Sequence, residues 1–412
     1  MRIAAMSNAH SHAFQRGLRG RAERSARGGG SGAGGAPPGA APAAGAPSGA
    51  PPATDDFWSW REAMYALAGQ LDPDSIERAG RAAYDEMASA GYGAVGEFHY
   101  VHHRPDGSPY DDPNAMAKAT ARAACAAGLR IVLLPAAYAR AGPGKPPEAR
   151  QRRFCDPSSE AFLARVDELR AWAEAQPDVS VGVAAHSARA VPAEWLEAIA
   201  AHSEEHGLVR HVHAAEQPRE LEEVQAEHGC SPIELLERTG FLGPLASVVH
   251  AIHVNARDIE LIWASGATIV SCPTTEGNLG DGHPPLLEFR DAGIPIAIGS
   301  DAQVRIDPFE EARELETLAR REGLTRHALM AATGDLWADL CRAGARSLGI
   351  ETAGEVEIDT EHPDLRGIDP DDLPLALVTC ASAGVVRTGA SGGRPRAQER
   401  HAGRAAGAGG AS

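Results

Sequence analysis

A closed (β/α)8 barrel of the TIM type is the fold class predicted by this sequence, and three observations predict it. Eight short apolar runs lie between residues 3 and 300. Helical patterns fill most of the gaps between them, and strands that alternate with helices argue for a parallel sheet. The runs are mostly continuous rather than alternating, as strands covered on both faces should be. Eight such units in succession argue for closure into a barrel.

The runs are taken in order. Residues 3–6, Ile-Ala-Ala-Met, read as a buried first strand that leads into Asn8-Ala9-His10-Ser11-His12-Ala13-Phe14-Gln15-Arg16. Residues 28–54 are Gly, Ala, Pro and Ser in low complexity. They cannot bury enough apolar surface to offset their ordering entropy, so a disordered insertion is expected there. A helical pattern at 75–90 leads to a strand at 93–98, ending in His99 and Tyr100. A helix at 113–127 leads to a strand at 129–134, and one at 158–175 to a strand at 179–184, which ends in His186. A helix at 192–205 precedes the strand 208–213, ending in Ala214-Ala215-Glu216. Strands at 246–250 and 267–272 flank a helix at 255–264, and the helix 285–292 leads to a last strand at 294–300, which meets Asp301. Pro295 removes a ladder donor, but near a strand's start that is tolerated. Two further helices are expected from Pro308 to about residue 336.

Composition narrows the function. The chain has 412 residues, is 43% hydrophobic and carries a formal net charge of -17. An acidic chain with no basic face does not advertise nucleic-acid binding, although a local basic pocket can still take an anionic substrate. The six cysteines are scattered with no CxxC pair. Free thiols in a reducing compartment are expected, and with them a cytoplasmic protein. The first residues lack the pattern of a signal peptide. No run approaches the roughly 18 apolar residues that span a membrane.

The chemistry gathers at the C-terminal ends of the predicted strands, the face where barrel enzymes place their sites. His10 and His12 end the first strand, His213 the fifth and His250 the sixth, while Asp301 follows the eighth. Histidines two apart on a strand point to the same side. Three imidazoles and one carboxylate can close around one zinc ion and leave a position for water. Zinc lowers the pKa of that water to about 7, so hydroxide is at hand at neutral pH. Glu216 can give a proton to a leaving nitrogen, and reads equally as an acid at a helix N-terminus. His250 is either a ligand or a neighbour that polarises the attacked group. Its competitor, His253, lies past the strand end and reads as a loop residue.

Together the motifs NAHSHAFQR, FWSWREAMY, GEFHYVHH, HSAR at His186 to Arg189, HAAE, VVHAIHVN and GSD resemble the N-formimidoyl-L-glutamate deiminases of the amidohydrolase superfamily, from about residue 7 to 340. The resemblance implies one zinc per chain on His10, His12, His213 and Asp301. It implies Glu216, His250 and Asp301 as catalytic residues, and Gln15, Arg61, Tyr100, His186 and Arg189 as substrate contacts. The implied reaction is hydrolysis of a formimino C=N, which releases ammonia in histidine degradation. A glutamate moiety carries two carboxylates, and Arg61 and Arg189 can each hold one through paired charged hydrogen bonds. Arg61 also reads as a surface arginine beside tryptophans, and His99, His102 and His103 as polar loop residues.

Superfamily members usually carry a small β-sandwich built from both chain ends. Here the barrel is expected over residues 1–348, a remnant of the small domain over 349–382 and a disordered tail over 383–412, with the N-terminal part of the sandwich missing. The expected partner is a small molecule with two carboxylates, with no nucleic acid and no membrane; the oligomeric state is open, a homodimer included. Two other functions stand beside the first. One is a related deaminase acting on a cyclic substrate, and the other an inactive truncated remnant, since fold alone never proves function.

Overall fold

Nine strands follow one another with parallel pairing in a computed structural model that describes residues 1–21, 57–330 and 334–388. They are β2 Met6–Ser11, β3 Tyr92–His99, β4 Arg130–Ala137, β5 Val179–Val181, β6 Val183–Ser187, β7 Arg210–Ala214, β8 Ala246–His250, β9 Thr268–Ser271 and β10 Ile296–Ile298. The order across the sheet is β2-β3-β4-β6-β7-β8-β9-β10, with β5 also on β4. The last strand returns to the first. Asp301 N–H donates to His10 O at 3.0 Å, and His12 N–H donates to Asp301 O at 3.0 Å. These are the eight positions of a near-closed (β/α)8 barrel.

The fourth position is split into β5 and β6 by Gly182. A Cβ there would lie 2.6 Å from Val209 O, so only glycine lets the two strands approach. Pro295 causes no difficulty, because β10 begins one residue later and the Pro295 carbonyl accepts from Ile269 N–H at 2.9 Å.

The first strand corrects the sequence reading. Residues 3–6 do not form one strand. Arg2–Ala4 is a separate strand, β1, paired antiparallel with β11 Glu355–Ile358, which in turn pairs with β12 Val386–Thr388. Barrel strand β2 starts only at Met6. The burial patterns explain the division: Ile3 is half-buried between exposed neighbours, whereas every residue of β2 is buried. The small sheet thus takes one strand from the N-terminal side, and its third strand lies beyond residue 382. The expected insertion 28–54 and the chain from 389 onward lie outside the described residues.

Helices cover the outside, and their ends are set locally. Helix Pro73–Ala90 starts at a capping box of Asp72 with Ser75 and stops at Gly91, whose φ is 105°. Those are ordinary start and stop signals. Its buried stripe, Ile76, Gly80, Ala83, Tyr84 and Met87, repeats at helical spacing. Past the barrel, helix Pro308–Gly323 is followed by Leu336–Ser347. The Asp335 side chain caps the latter by accepting from Ala338 N–H. Its last turn reaches the N-terminal ends of the strands: His211 Nε2 donates to Ser347 O at 2.9 Å, and the Ser247 and Ser347 hydroxyls are 2.8 Å apart. No described helix is long and apolar enough to cross a membrane.

Candidate metal centre and active site

Three imidazoles converge at the C-terminal mouth of the barrel. His10 Nε2 lies 3.2 Å from His12 Nε2 and 3.0 Å from His213 Nε2. Asp301 Oδ1 stands 3.5 Å from the first and 3.4 Å from the second. All four residues are buried. Closing the barrel makes this possible, because β2, β7 and the end of β10 each deliver part of the set. Gly299 admits the approach: a Cβ there would sit 2.8 Å from the Cβ of His10.

The donor set fits a cation. His12 Nδ1 meets Phe98 O at 2.8 Å, and His213 Nδ1 meets His186 O at 2.9 Å. A carbonyl can only accept, so both Nδ1 atoms carry the proton. In the neutral rings Nε2 is then a bare lone pair. Burial lowers the pKa of all three histidines, that of His10 to about 3, so the neutral form holds. Burial alone would raise Asp301, but its hydrogen bond with His10 and the surrounding histidines keep its carboxyl well below the usual range. The lone pairs of His12 and His213 and the Asp301 carboxylate thus gather around His10 Nε2, a set of electron-pair donors suited to a cation. Nitrogens bound tetrahedrally at zinc's usual distance stand about 3.3–3.4 Å apart, close to the separations found here. Two of the supporting residues hold left-handed backbone, His250 with φ 74° and Asp301 with φ 44°. Such conformations cost of order 1–3 kcal/mol each and cluster at functional sites.

A second group borders the first. His250 Nε2 lies 3.6 Å from Glu216 Oε1 and 3.9 Å from Asp301 Oδ2. Its other nitrogen, Nδ1, lies 3.2 Å from Glu276 Oε1. Glu276 is fully enclosed and also accepts from Cys272 N–H at 2.7 Å and Ser271 Oγ–H at 2.9 Å. Burial alone would lower the pKa of His250, yet Glu216, the Glu276 hydrogen bond and Asp301 raise it to about 10. Burial pushes Glu216 up to about 8, helped by the Asp281, Asp301 and Glu220 carboxylates and opposed by His250. A divalent cation among the imidazoles would draw these proton affinities down.

One cavity opens above this centre, and Gln15, Arg61, Tyr100, His186 and Arg189 all line it with His12, His213, Glu216, His250 and Asp301. Gln15 Nε2 donates to Tyr100 Oη at 2.8 Å, leaving its Oε1 buried without a partner among the described residues. Arg61, on helix Phe57–Ala68, stacks over Trp58 at 4.6 Å and Tyr65 at 5.3 Å. It faces the cavity, so the reading of a surface arginine does not hold. The Arg189 side chain is 9% exposed, donates to Ala141 O and lies 3.7 Å from Glu223 Oε2. His186 packs edge-on against Tyr138 at 4.5 Å. His253 is not among the cavity residues. His99, His102 and His103 are buried rather than set on a polar loop.

Sequence reasoning missed Glu276, Glu220, Gln217 and Tyr138. Glu276 had a signal, an acid four residues past Cys272 at a strand end. Glu220 had one too, since it follows Glu216 by one helical turn and its Oε2 accepts from Glu216 N–H at 3.2 Å. Gln217 and Tyr138 carried none.

Known proteins agree with this architecture. A model of the amidohydrolase family matches residues 3–361. A formimidoylglutamate deiminase from Pseudomonas aeruginosa is 37% identical over 328 residues, which cover 79% of this chain and 66% of that protein. The chain thus spans just under two thirds of that relative. The crystal structure of an amidohydrolase from Brucella melitensis superposes with a TM-score of 0.78 and 31% identity, covering 96% of this chain and 86% of the other. A zinc-bound adenosine deaminase from Xanthomonas campestris shares the fold at 21% identity, with a TM-score of 0.74 over 97% of this chain and 81% of its own. A barrel that gathers three histidines and an aspartate at its C-terminal mouth, matched by the family model over most of its length, places this chain in the amidohydrolase family.

Proposed function

We propose that this chain is a cytoplasmic, zinc-dependent enzyme of histidine degradation that hydrolyses the formimino C=N of N-formimidoyl-L-glutamate. The observation that carries the reading is the placement of Arg61 and Arg189 in the same cavity as Glu216 and the imidazole cluster. Two guanidiniums in one pocket match a substrate with two carboxylates. The 37% identical relative, named as a formimidoylglutamate deiminase, supports it.

His10, His12, His213 and Asp301 are the residues that would hold the zinc. When bound, the ion supplies Lewis acidity that brings water's pKa near neutrality. The rest falls to the chain's own groups. Arg61 and Arg189 bind the carboxylates, and Gln15, Tyr100 and His186 hold the backbone of the substrate in place. His250, kept protonated by Glu276 and Glu216, polarises the amidine carbon. Glu216 takes a proton from the attacking water and delivers it to the departing nitrogen. Water adds across C=N, the C–N bond to the terminal nitrogen breaks, and N-formyl-L-glutamate and ammonia leave.

Aromatic side chains in the same cavity, Trp58, Trp60 and Tyr138 among them, favour a second reading, a deaminase of a cyclic substrate. The two arginines favour the first. The test is ammonia release by the purified protein from N-formimidoyl-L-glutamate and from a panel of purines and triazines. Turnover of a ring compound with none of the linear amidine would overturn the proposal. The presence of all the ligand-type residues together with Glu216 speaks against an inactive remnant.

A further inference from the structure

Outside the barrel mouth, one more group of side chains among the described residues has the chemistry of a metal site. Helix Ser159–Ala173 and helix Ala193–His206 lie side by side on the barrel's outer wall. His202 and His206 are one turn apart on the second helix, and their rings lie 4.5 Å apart, centroid to centroid. Residues four apart share a helix face. From the first helix, Asp167 brings Oδ1 to 3.2 Å from His202 Nε2. The three ligand atoms all lie within 4.8 Å of one another.

Two features separate this group from an ordinary surface ion pair. The His202 side chain is only 11% exposed, and its Nε2 is shielded from solvent without a well-directed hydrogen bond, despite the nearby carboxylate. A buried polar atom left in this way wants a partner. Asp167 and His206 are exposed, so both can turn toward a shared ion without disturbing the core. Arg170 donates to Asp167 Oδ1 at 2.8 Å, which leaves the second carboxylate oxygen for a ligand bond. None of the three residues lines the catalytic cavity.

We propose that Asp167, His202 and His206 form a second site for a divalent transition-metal ion, of the class that imidazole and carboxylate bind well: zinc, nickel, cobalt or copper. The ion would clip the two helices together, with water completing its coordination. Because such an ion binds the folded chain, it stabilises that form by mass action.

The test uses the untagged full chain and zinc alone as the probe. Wild type, His206→Ala and the double variant His202→Gln/His206→Gln are dialysed against micromolar free zinc, and zinc per chain is counted by mass spectrometry. Wild type should hold one ion more per chain than either variant, and all three should release ammonia at the same rate. Equal zinc in wild type and the double variant overturns the proposal. A second measurement needs no variant: zinc should slow amide hydrogen exchange in residues 159–173 and 193–206 of the wild type. Unchanged exchange there would also overturn it.

Discussion

Replacing Arg189 with alanine tests the dicarboxylate reading most directly. The guanidinium is enclosed, with its side chain 9% exposed, and sits in the cavity with Glu216 and His250. Within the chain it donates to Ala141 O and makes a longer contact with Glu223. Glu223 Oε2 is 3.7 Å away, and Glu223 keeps Arg219 at 3.2 Å and Lys145 at 3.5 Å when Arg189 is gone. The fold should lose about 1.5–3 kcal/mol, the worth of one hydrogen bond to a charged group. The substrate loses more. A carboxylate drawn into a water-poor cavity without its partner costs about 2–5 kcal/mol, which is a fall of roughly 30- to several-thousand-fold in kcat/KM. Glu220, which lines the same cavity, then lacks the neighbouring charge of Arg189, which favours the upper part of the range. Arg189→Lys should restore only part, because an ammonium cannot reproduce a planar two-point contact. Zinc content should stay the same in both variants. The assay is ammonia release from N-formimidoyl-L-glutamate alongside metal analysis. Near-wild-type kinetics in Arg189→Ala, with the zinc intact, would refute the reasoning.

Three further predictions concern the centre and its support. His10→Ala should lose most of the bound zinc, because His10 Nε2 lies between those of His12 and His213; full retention would dismiss the proposed ligand set. Glu276→Gln removes one of the charges that raise the pKa of His250, beside Glu216 and Asp301. A charge-assisted hydrogen bond is worth about 1.5–3 kcal/mol, or about one to two pKa units. Activity that needs protonated His250 disappears as pH rises through its pKa, so the alkaline limb of kcat/KM should move to lower pH by that amount, and superimposable profiles would remove Glu276 from this role. Asp156→Asn leaves the Arg165 guanidinium buried with no counter-charge, since Arg165 donates to Asp156 at 3.1 and 2.7 Å. Urea unfolding should show a loss of about 3–5 kcal/mol. Burial alone would raise Asp156, but His103 and Arg165 hold it well below its usual value. The stabilisation is thus complete above the unfolded pKa of about 4 and fades as pH falls, so the gap between variant and wild type should narrow in acid; a gap independent of pH would count against the pairing.

Much of this protein was legible along the chain. The alternation of apolar runs with helical patterns is local, and so are the caps at Asp72, Ser158, Ser231 and Asn255 that start its helices. Strand geometry alone puts His10 and His12 on one side, and the position of His213, His250 and Asp301 at strand ends follows from the same rhythm. Other features depend on which distant segments meet. His10 and His213 are 203 residues apart, and only barrel closure sets their nitrogens 3.0 Å apart. Arg61 reads as a surface residue until helix Phe57–Ala68 is placed over the mouth. The Ile3–Met6 run has one apolar character but two destinations, because the edge of β11 captures Arg2–Ala4 before the barrel begins. Glu276 gives no sign of its partner, since its contact with His250 joins two adjacent strand ends across 26 residues. Local patterns specify elements because they depend on neighbours a few residues away. Charges and lone pairs specify chemistry only after folding brings them within a few ångströms in a place that water does not fill.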